Sequence, residues 1–270
     1  MAFYTLPPPP ELRPFVRFFW VFELNGIRSA GVPYVYRSMA DGCPELLFHY
    51  KGLFREVPPT PSVGSSRLTL HAQSSRFARY QIQEDFGIFG AYLYPFATEA
   101  LLGIPADALS DTETSLEGLL GSPGRVLEER LLDCGTQWER HQILSGFLTA
   151  ALRRRRPRGE AIHECVKKVI EQKGIVDISL LAQEQNLSAR QFQRKFRRAA
   201  GYSPKRYTRI LRFMEVASRN RADFSSLTAL AYAHAYYDQS HFIHEFKAFS
   251  GYAPREFFSG TPEGREWLTG

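Results

Sequence analysis

Four side chains between residues 190 and 197 offer the clearest chemistry in this 270-residue chain. Arg190, Gln193, Arg194 and Arg197 fall at i, i+3, i+4 and i+7, so a helix would carry them on one face. Phe192 and Phe196, four apart, would face inward from the same helix. Arginine presents a donor fork that fits O6 and N7 of guanine, and glutamine can pair bidentately with adenine. Such a face suits the major groove of a duplex. Its positioning elements are legible nearby. Ser188 is a good N-cap, since its hydroxyl can accept from an orphan amide at the helix start. Ile178 to Gln185 reads as a short preceding helix, and Asn186 suits the left-handed residue of a tight turn. Helix, turn, then a helix with an outward Arg and Gln face is the helix-turn-helix layout. An ordinary solvated helix pair would share several of these features.

The same words recur fifty residues later, which weighs against the ordinary pair. Phe192, Phe196, Gly201, Tyr202, Pro204 and Tyr207 are answered by Phe242, Phe246, Gly251, Tyr252, Pro254 and Phe257. The four outward positions become Ser240, Ile243, His244 and Lys247. Asp238 takes the N-cap role, and Leu227 to Ala233 supplies the preceding helix.

Asp238-Gln-Ser-His-Phe242, followed by Phe246-Lys247, Gly251, Pro254 and Phe257, resembles the signature of the AraC/XylS family of transcription regulators. The resemblance covers about Ile162 to Phe258 and implies two helix-turn-helix units joined by a long helix. Ala235 departs from it, standing where the family usually has glycine in the second turn. Looser pieces resemble the N-terminal domain of one subset of these regulators: Asp41-Gly-Cys-Pro-Glu-Leu-Leu-Phe48, Tyr94 to Ile104, Leu109-Ser-Asp and Leu116-Glu-Gly-Leu-Leu. They imply a sensing or dimerising role without naming a ligand.

Charge divides the chain in the same way. Residues 1–152 carry 12 basic against 16 acidic side chains, and residues 153–270 carry 22 against 12. Between Ser188 and Arg212 there are nine positive residues and no acidic one, as expected of a half that meets phosphates. Cys43, Cys134 and Cys165 are odd in number and far apart, which fits neither a disulfide framework nor a CxxC metal site. A nucleophilic Cys43 lacks an identifiable base, and a buried cysteine is the plainer reading. A metal site from His234, His241 and His244 would straddle the turn and the reading helix. No apolar run spans a membrane, and the N-terminus lacks the regions of a signal peptide, so a cytoplasmic protein is expected. No GxGxxG, phosphate-loop, HExxH or GxSxG motif appears.

The expected fold class is α+β, with a sensing or dimerisation domain over 1–152, a basic linker over 153–159 and an all-helical domain over 160–260. Strands are expected at Phe15 to Phe22, Glu45 to Tyr50, Thr69 to His71, Arg79 to Ile82 and Ile88 to Tyr94, forming a small sheet or barrel. Pro58, Pro59, Pro61 and Gly64 mark a loop, and Ala97 to Ile104 a short helix. Pro123 to Leu132 and Trp138 to Leu152 read as helices. The second has an apolar stripe of Leu144, Phe147, Leu148, Ala151 and Leu152 that would pack on its own domain or pair with a second copy of the chain. Arg153 to Arg156 with Pro157, Arg158 and Gly159 should break that helix. Another helix follows over Glu160 to Gln172, and no clear pattern continues after Phe258.

Base contact is expected from Arg190, Gln193 and Arg194 in the first unit and from Ser240, Ile243 and His244 in the second, where Ile243 could meet only a thymine methyl. Phosphate contact is expected from Arg197, Lys205, Arg206, Arg209, Arg212 and Lys247. A helix from Pro204 to about Arg219 would join the units, spanning on the order of 24 Å. The expected partner is double-stranded DNA at a promoter or operator. RNA polymerase, a small-molecule effector and a homodimer partner are further candidates, and no cofactor, metal or membrane is expected. A domain that only dimerises, and more weakly an N-terminal enzyme, are the competing readings.

Overall fold

A computed structural model describes residues 1–58, 66–156 and 160–263. Pro59, Pro61 and Gly64 of the expected loop, and Pro157 to Gly159 of the expected linker, lie outside the described residues. The N-terminal half contains β1 (Ala2–Leu6), β2 (Val16–Leu24), α1 (Ile27–Ala30), β3 (Tyr34–Ser38), β4 (Glu45–Lys51), β5 (Arg55–Glu56), β6 (Leu68–His71), β7 (Ala78–Ile82) and β8 (Phe86–Leu93). Then come α2 (Ala106–Leu109), β9 (Glu113–Ser115), α3 (Leu116–Leu120), α4 (Ser122–Leu132) and α5 (Gln137–Arg155). The segment expected as a helix over Ala97 to Ile104 forms a wide π-type turn at Thr98–Leu102, closed by Gly103 at φ 81°.

The strands make two sheets rather than a closed barrel: six strands in the order β1-β2-β8-β4-β6-β9, and three in the order β3-β7-β5. Every pairing is antiparallel. Period-2 alternation gives the large sheet two different faces. Phe19, Val21, Leu46, Phe48, Leu68, Leu70, Phe89 and Ala91 share one buried cluster with Leu127, Leu131, Leu144 and Leu148 of α4 and α5. The stripe on α5 is therefore spent on its own domain. Full burial of Leu144 and Leu148 is worth about 1.5–3 kcal/mol each. Trp20, Phe22, Leu47, Ile88 and Tyr92 belong to a second cluster on the opposite face.

The linker expectation needs correction at its start. α5 runs through Arg155, and Arg156 ends it in the left-handed region at φ 47°. Arg153 to Arg155 stay helical because each can serve the helix C-terminus, where cations are favoured. Arg155 donates to the carbonyls of Leu101 and Leu102 at 3.1 and 2.7 Å, and Arg153 to Glu11.

The C-terminal half holds α6 (Ala161–Glu171), α7 (Ile178–Glu184), α8 (Ala189–Ala200), α9 (Pro204–Ala217), α10 (Leu227–Ala233), α11 (Gln239–Ser250) and α12 (Pro254–Ser259). α9 ends two residues short of the expected Arg219 and spans about 21 Å at 1.5 Å per residue. Its core is largely aromatic: Phe192, Phe196, Tyr207, Phe213, Phe242, Phe246 and Phe257 are all buried. Met39, Ala40 and Phe96 of the N-terminal half belong to the same buried cluster. Past α12, Glu263 accepts from Arg37 and Arg79, at 3.2 and 2.7 Å.

Candidate nucleic-acid interface and interior cavity

Both helix-turn-helix units form as separate, capped pieces. Ser188 accepts from the Gln191 amide at 3.3 Å, and the Gln191 side chain accepts from the Ser188 amide at 3.1 Å. This reciprocal cap fixes where α8 starts, and hence which residues face out. Asn186 takes the left-handed turn position at φ 52°. In the second unit Asp238 accepts from the His241 amide at 2.7 Å. Ala235 itself adopts φ 56°, so the turn keeps its shape without glycine. Arg212 of α9 supports it by donating to the Ala235 carbonyl at 2.8 Å.

All eight outward positions are exposed: Arg190, Gln193, Arg194 and Arg197 on α8, and Ser240, Ile243, His244 and Lys247 on α11. Neither face is packed into the protein. Arg197 lies 3.8 Å from Asp107 of α2, at the edge of its face. The six phosphate candidates fare differently. Lys205 and Lys247 are exposed. Arg206 donates to Ser75 at 2.6 Å and lies over the Tyr202 ring. Arg209 is ion-paired with Glu245, whose side chain is 0% exposed. A buried carboxylate needs a counter-charge, so Arg209 is a structural group first. Arg212 is spent on the second turn. Composition alone could not separate these arginines from free ones, because their partners lie on α11, the N-terminal half and the α10–α11 turn. His234 is buried, His241 sits 3.7 Å from Glu245 and His244 is exposed; the described residues contain no group of three metal-capable side chains.

Behind these faces lies a feature the sequence reading missed. A cavity of about 640 Å³ occupies the space between the two sheets. Its floor is the second face of the large sheet, where the registers set out three rows. His71, Glu45, Tyr92 and Phe18 are aligned across β6, β4, β8 and β2. Thr69, Leu47, Gly90 and Trp20 form the next row, and His49, Ile88 and Phe22 the third. Gly90 is required there: a Cβ would stand 2.3 Å from the Trp20 ring. Tyr36 and Tyr80 of the small sheet line the cavity from the other side, and Ile170 of α6 with Leu211 and Met214 of α9 line it from the C-terminal half. Alternation within β4 and β6 was the available signal, since Glu45, His49 and His71 share the face opposite Leu46, Leu68 and Leu70.

The polar groups on this floor are strongly displaced by burial. Glu45 is pushed up to about 8 by desolvation, with Asp41 adding to it. His49 is pushed down to about 3 by desolvation and by His71, which keeps it neutral. Burial raises the Cys43 thiol to about 11 despite Arg17, which disfavours its thiolate at neutral pH. Cys43, Cys134 and Cys165 are all buried free thiols.

The helix-turn-helix units account for the family-level match. A model described as a helix-turn-helix domain matches residues 181–260, which takes in α8 through α12. Residues 181–260 are thus a helix-turn-helix domain. A second model, described as a domain of unknown function (DUF6597), matches residues 4–115 of the chain, the two-sheet region. No curated protein sequence matches the chain. Among solved structures, ToxT from Vibrio cholerae at 1.65 Å is similar at 13% identity, with 96% of this chain and 100% of that chain covered and a TM-score of 0.47. ToxT bound to (E)-4-(8-methylnaphthalen-1-yl)but-3-enoic acid gives 11% identity, 96% and 99% coverage and a TM-score of 0.46. Unsaturated fatty acid bound wild-type ToxT gives 13%, 90% and 96%, and 0.40. Among the described residues, no helix of the chain is long and apolar enough to cross a membrane.

Proposed function

We propose that the chain is a transcription regulator of the AraC/XylS type that reads a promoter or operator with α8 and α11, and that a small molecule in the interior cavity adjusts that reading. The base-reading groups are Arg190, Gln193 and Arg194 on α8, with Ser240, Ile243 and His244 on α11. Arg197, Lys205 and Lys247 hold phosphate. Arg206, Arg209 and Arg212 are secondary there because protein partners already engage them. The first unit supplies most of the affinity, since its outer face is the more basic.

The observation that carries the effector half is the position of the cavity. Leu211 and Met214 line it from α9, and α9 is also the helix that joins the two reading units. A ligand that presses on those side chains has a direct route to the spacing or tilt of α8 and α11. The cavity volume lies within the range of about 300–1,000 Å³ that small-molecule sites occupy. Dimerisation and contact with RNA polymerase are compatible with this reading and belong to it as proposals. The stripe on α5 is not the dimer face, because Leu144 and Leu148 are buried in their own domain.

The test is selection of genomic fragments by the purified full-length protein, followed by sequencing. The expected result is a shared sequence in two parts, with Arg194→Ala costing about 1–3 kcal/mol and relaxing one base position. Retention of fragments with no common sequence, or wild-type binding by the variant, rejects the assignment.

A further inference from the structure

We propose that the cavity takes an organic cation with an apolar body, its ammonium group seated on Glu45. This rests on the effector reading above and names the ligand class for that same site. Three carboxylates line the cavity from the N-terminal half: Asp41, Glu45 and Glu113. Two have partners. Glu113 pairs with His71 at 3.0 Å and accepts from the Tyr80 hydroxyl at 2.8 Å. Asp41 accepts from the Tyr92 hydroxyl at 2.7 Å and the Cys43 amide at 2.8 Å. Glu45 accepts no hydrogen bond and meets no cation among the described residues, although it stands in the middle of the first floor row.

The cations nearby are committed elsewhere. Arg17 lies over the Tyr92 ring at 5.0 Å and donates to the Cys43 sulfur at 3.7 Å. Arg37 is held by Glu263 and lies over Tyr252 at 4.0 Å. A carboxylate without a partner in this setting is costly, and the empty cavity lowers that cost by holding Glu45 largely protonated at neutral pH. A ligand cation supplies the missing charge, and the Glu45 proton leaves to solvent. Tyr92 and Phe18, stacked at 5.0 Å in the same row, add aromatic faces that attract a cation.

A second, independent observation marks the wall as a binding surface. His49 Nδ1 and Thr69 Oγ1 line the cavity without a hydrogen-bond partner, and both residues are more than nine-tenths buried. Polar atoms in such places are normally satisfied, so orphans at a cavity wall point to a missing partner. Thr69 is one row from Glu45, and His49 is four residues along β4, about 13 Å away at 3.3 Å per residue. Leu47, Ile88 and Trp20 lie between. The fitting molecule therefore has a cationic head at Glu45, an apolar body over those three side chains and room for a hydrogen-bonding group beyond. A carboxylate or phosphate head would meet Glu45 and Asp41 as like charges.

Three probes of matched shape decide this by isothermal titration calorimetry on the full-length protein at pH 7: 4-phenylbutylamine, 5-phenylpentanoate and 4-phenylbutan-1-ol. The amine is expected to bind about tenfold or more tightly than the acid, with the alcohol between them. Glu45→Gln is expected to lower amine affinity to about that of the alcohol while leaving alcohol binding unchanged. Acid binding equal to or tighter than amine binding overturns the ligand class and leaves the cavity as an effector site. Unchanged amine affinity in Glu45→Gln also overturns the class. Binding of none of the three overturns the cavity reading together with the class. The wild-type ranking decides alone if the variant fails to fold.

Discussion

At the residue scale, the arginines separate into those that face outward unengaged and those the protein already uses. Arg190 and Arg194 are exposed on α8, whereas Arg209 balances the buried Glu245. Removing Arg209 leaves the buried Glu245 carboxylate with His241, at 3.7 Å, as its nearest basic neighbour, so Arg209→Ala should destabilise the fold by about 1–3 kcal/mol in denaturant titration. A loss of DNA affinity with no loss of stability would instead return Arg209 to the phosphate surface. Glu45 makes a second prediction, in pH. Its folded pKa of about 8 lies above the ordinary carboxylate value of 4.5, so the folded protein holds a proton that the unfolded chain has already lost. Its contribution is therefore most favourable below about pH 4.5, falls as pH rises and levels off above about pH 8. The groups around it are Asp41, His71 and Tyr92, and Glu45→Gln leaves all three in place. Melting curves should show wild type and variant alike at pH 4, with the variant gaining steadily up to pH 8. A difference independent of pH would contradict the raised pKa.

At the element scale, caps and turns decide which side chains can reach a groove. The Ser188–Gln191 reciprocal cap and the Asp238 cap set the start of each reading helix. Ala235 shows that a left-handed turn position survives without glycine, at a steric cost of about 1–2 kcal/mol. Ala235→Gly should therefore raise stability by about 1 kcal/mol, after allowing for the greater freedom glycine has in the unfolded chain. A drop in midpoint would mean the turn is held in another way. Most of these elements were legible from sequence because helices announce themselves through caps and a 3.6 period, and the repeat doubled the signal. β1, β3, β5 and β9 were not. They are two to five residues long, and all four lie at a sheet edge, where alternation is too short to register. The cavity escaped for a different reason. Its floor depends on register between β2, β4, β6 and β8, and that juxtaposes residues up to about 75 positions apart.

At the scale of the whole molecule, the N-terminal half rests on the two tails that the repeat singled out. The Tyr202 hydroxyl donates to the Gln73 carbonyl at 2.8 Å, the Ser110 hydroxyl to the Gly201 carbonyl at 2.9 Å, and the Tyr207 hydroxyl to the Gly42 carbonyl at 3.0 Å. At the second tail Arg37 donates to the Ser250 carbonyl at 3.3 Å, and Phe249 accepts from the Ala40 amide at 3.0 Å. Gly201 and Gly251 are left-handed at φ 86° and 79°, and a Cβ on either would strike Gln73 or Arg37. The Gly-Tyr tails thus end α8 and α11 and seat the N-terminal half at once, while α9 lines the cavity between them. This arrangement leaves the outer faces of α8 and α11 exposed while α9, between them, lines one internal space. The most direct test is a chemical footprint of the full-length protein on a selected fragment, with major-groove methylation read at each base. Two protected segments about one helical turn, or 34 Å, apart are expected, with Arg194→Ala losing protection in one segment only. A single protected segment, or loss of both on that substitution, would contradict a regulator that reads with two helices.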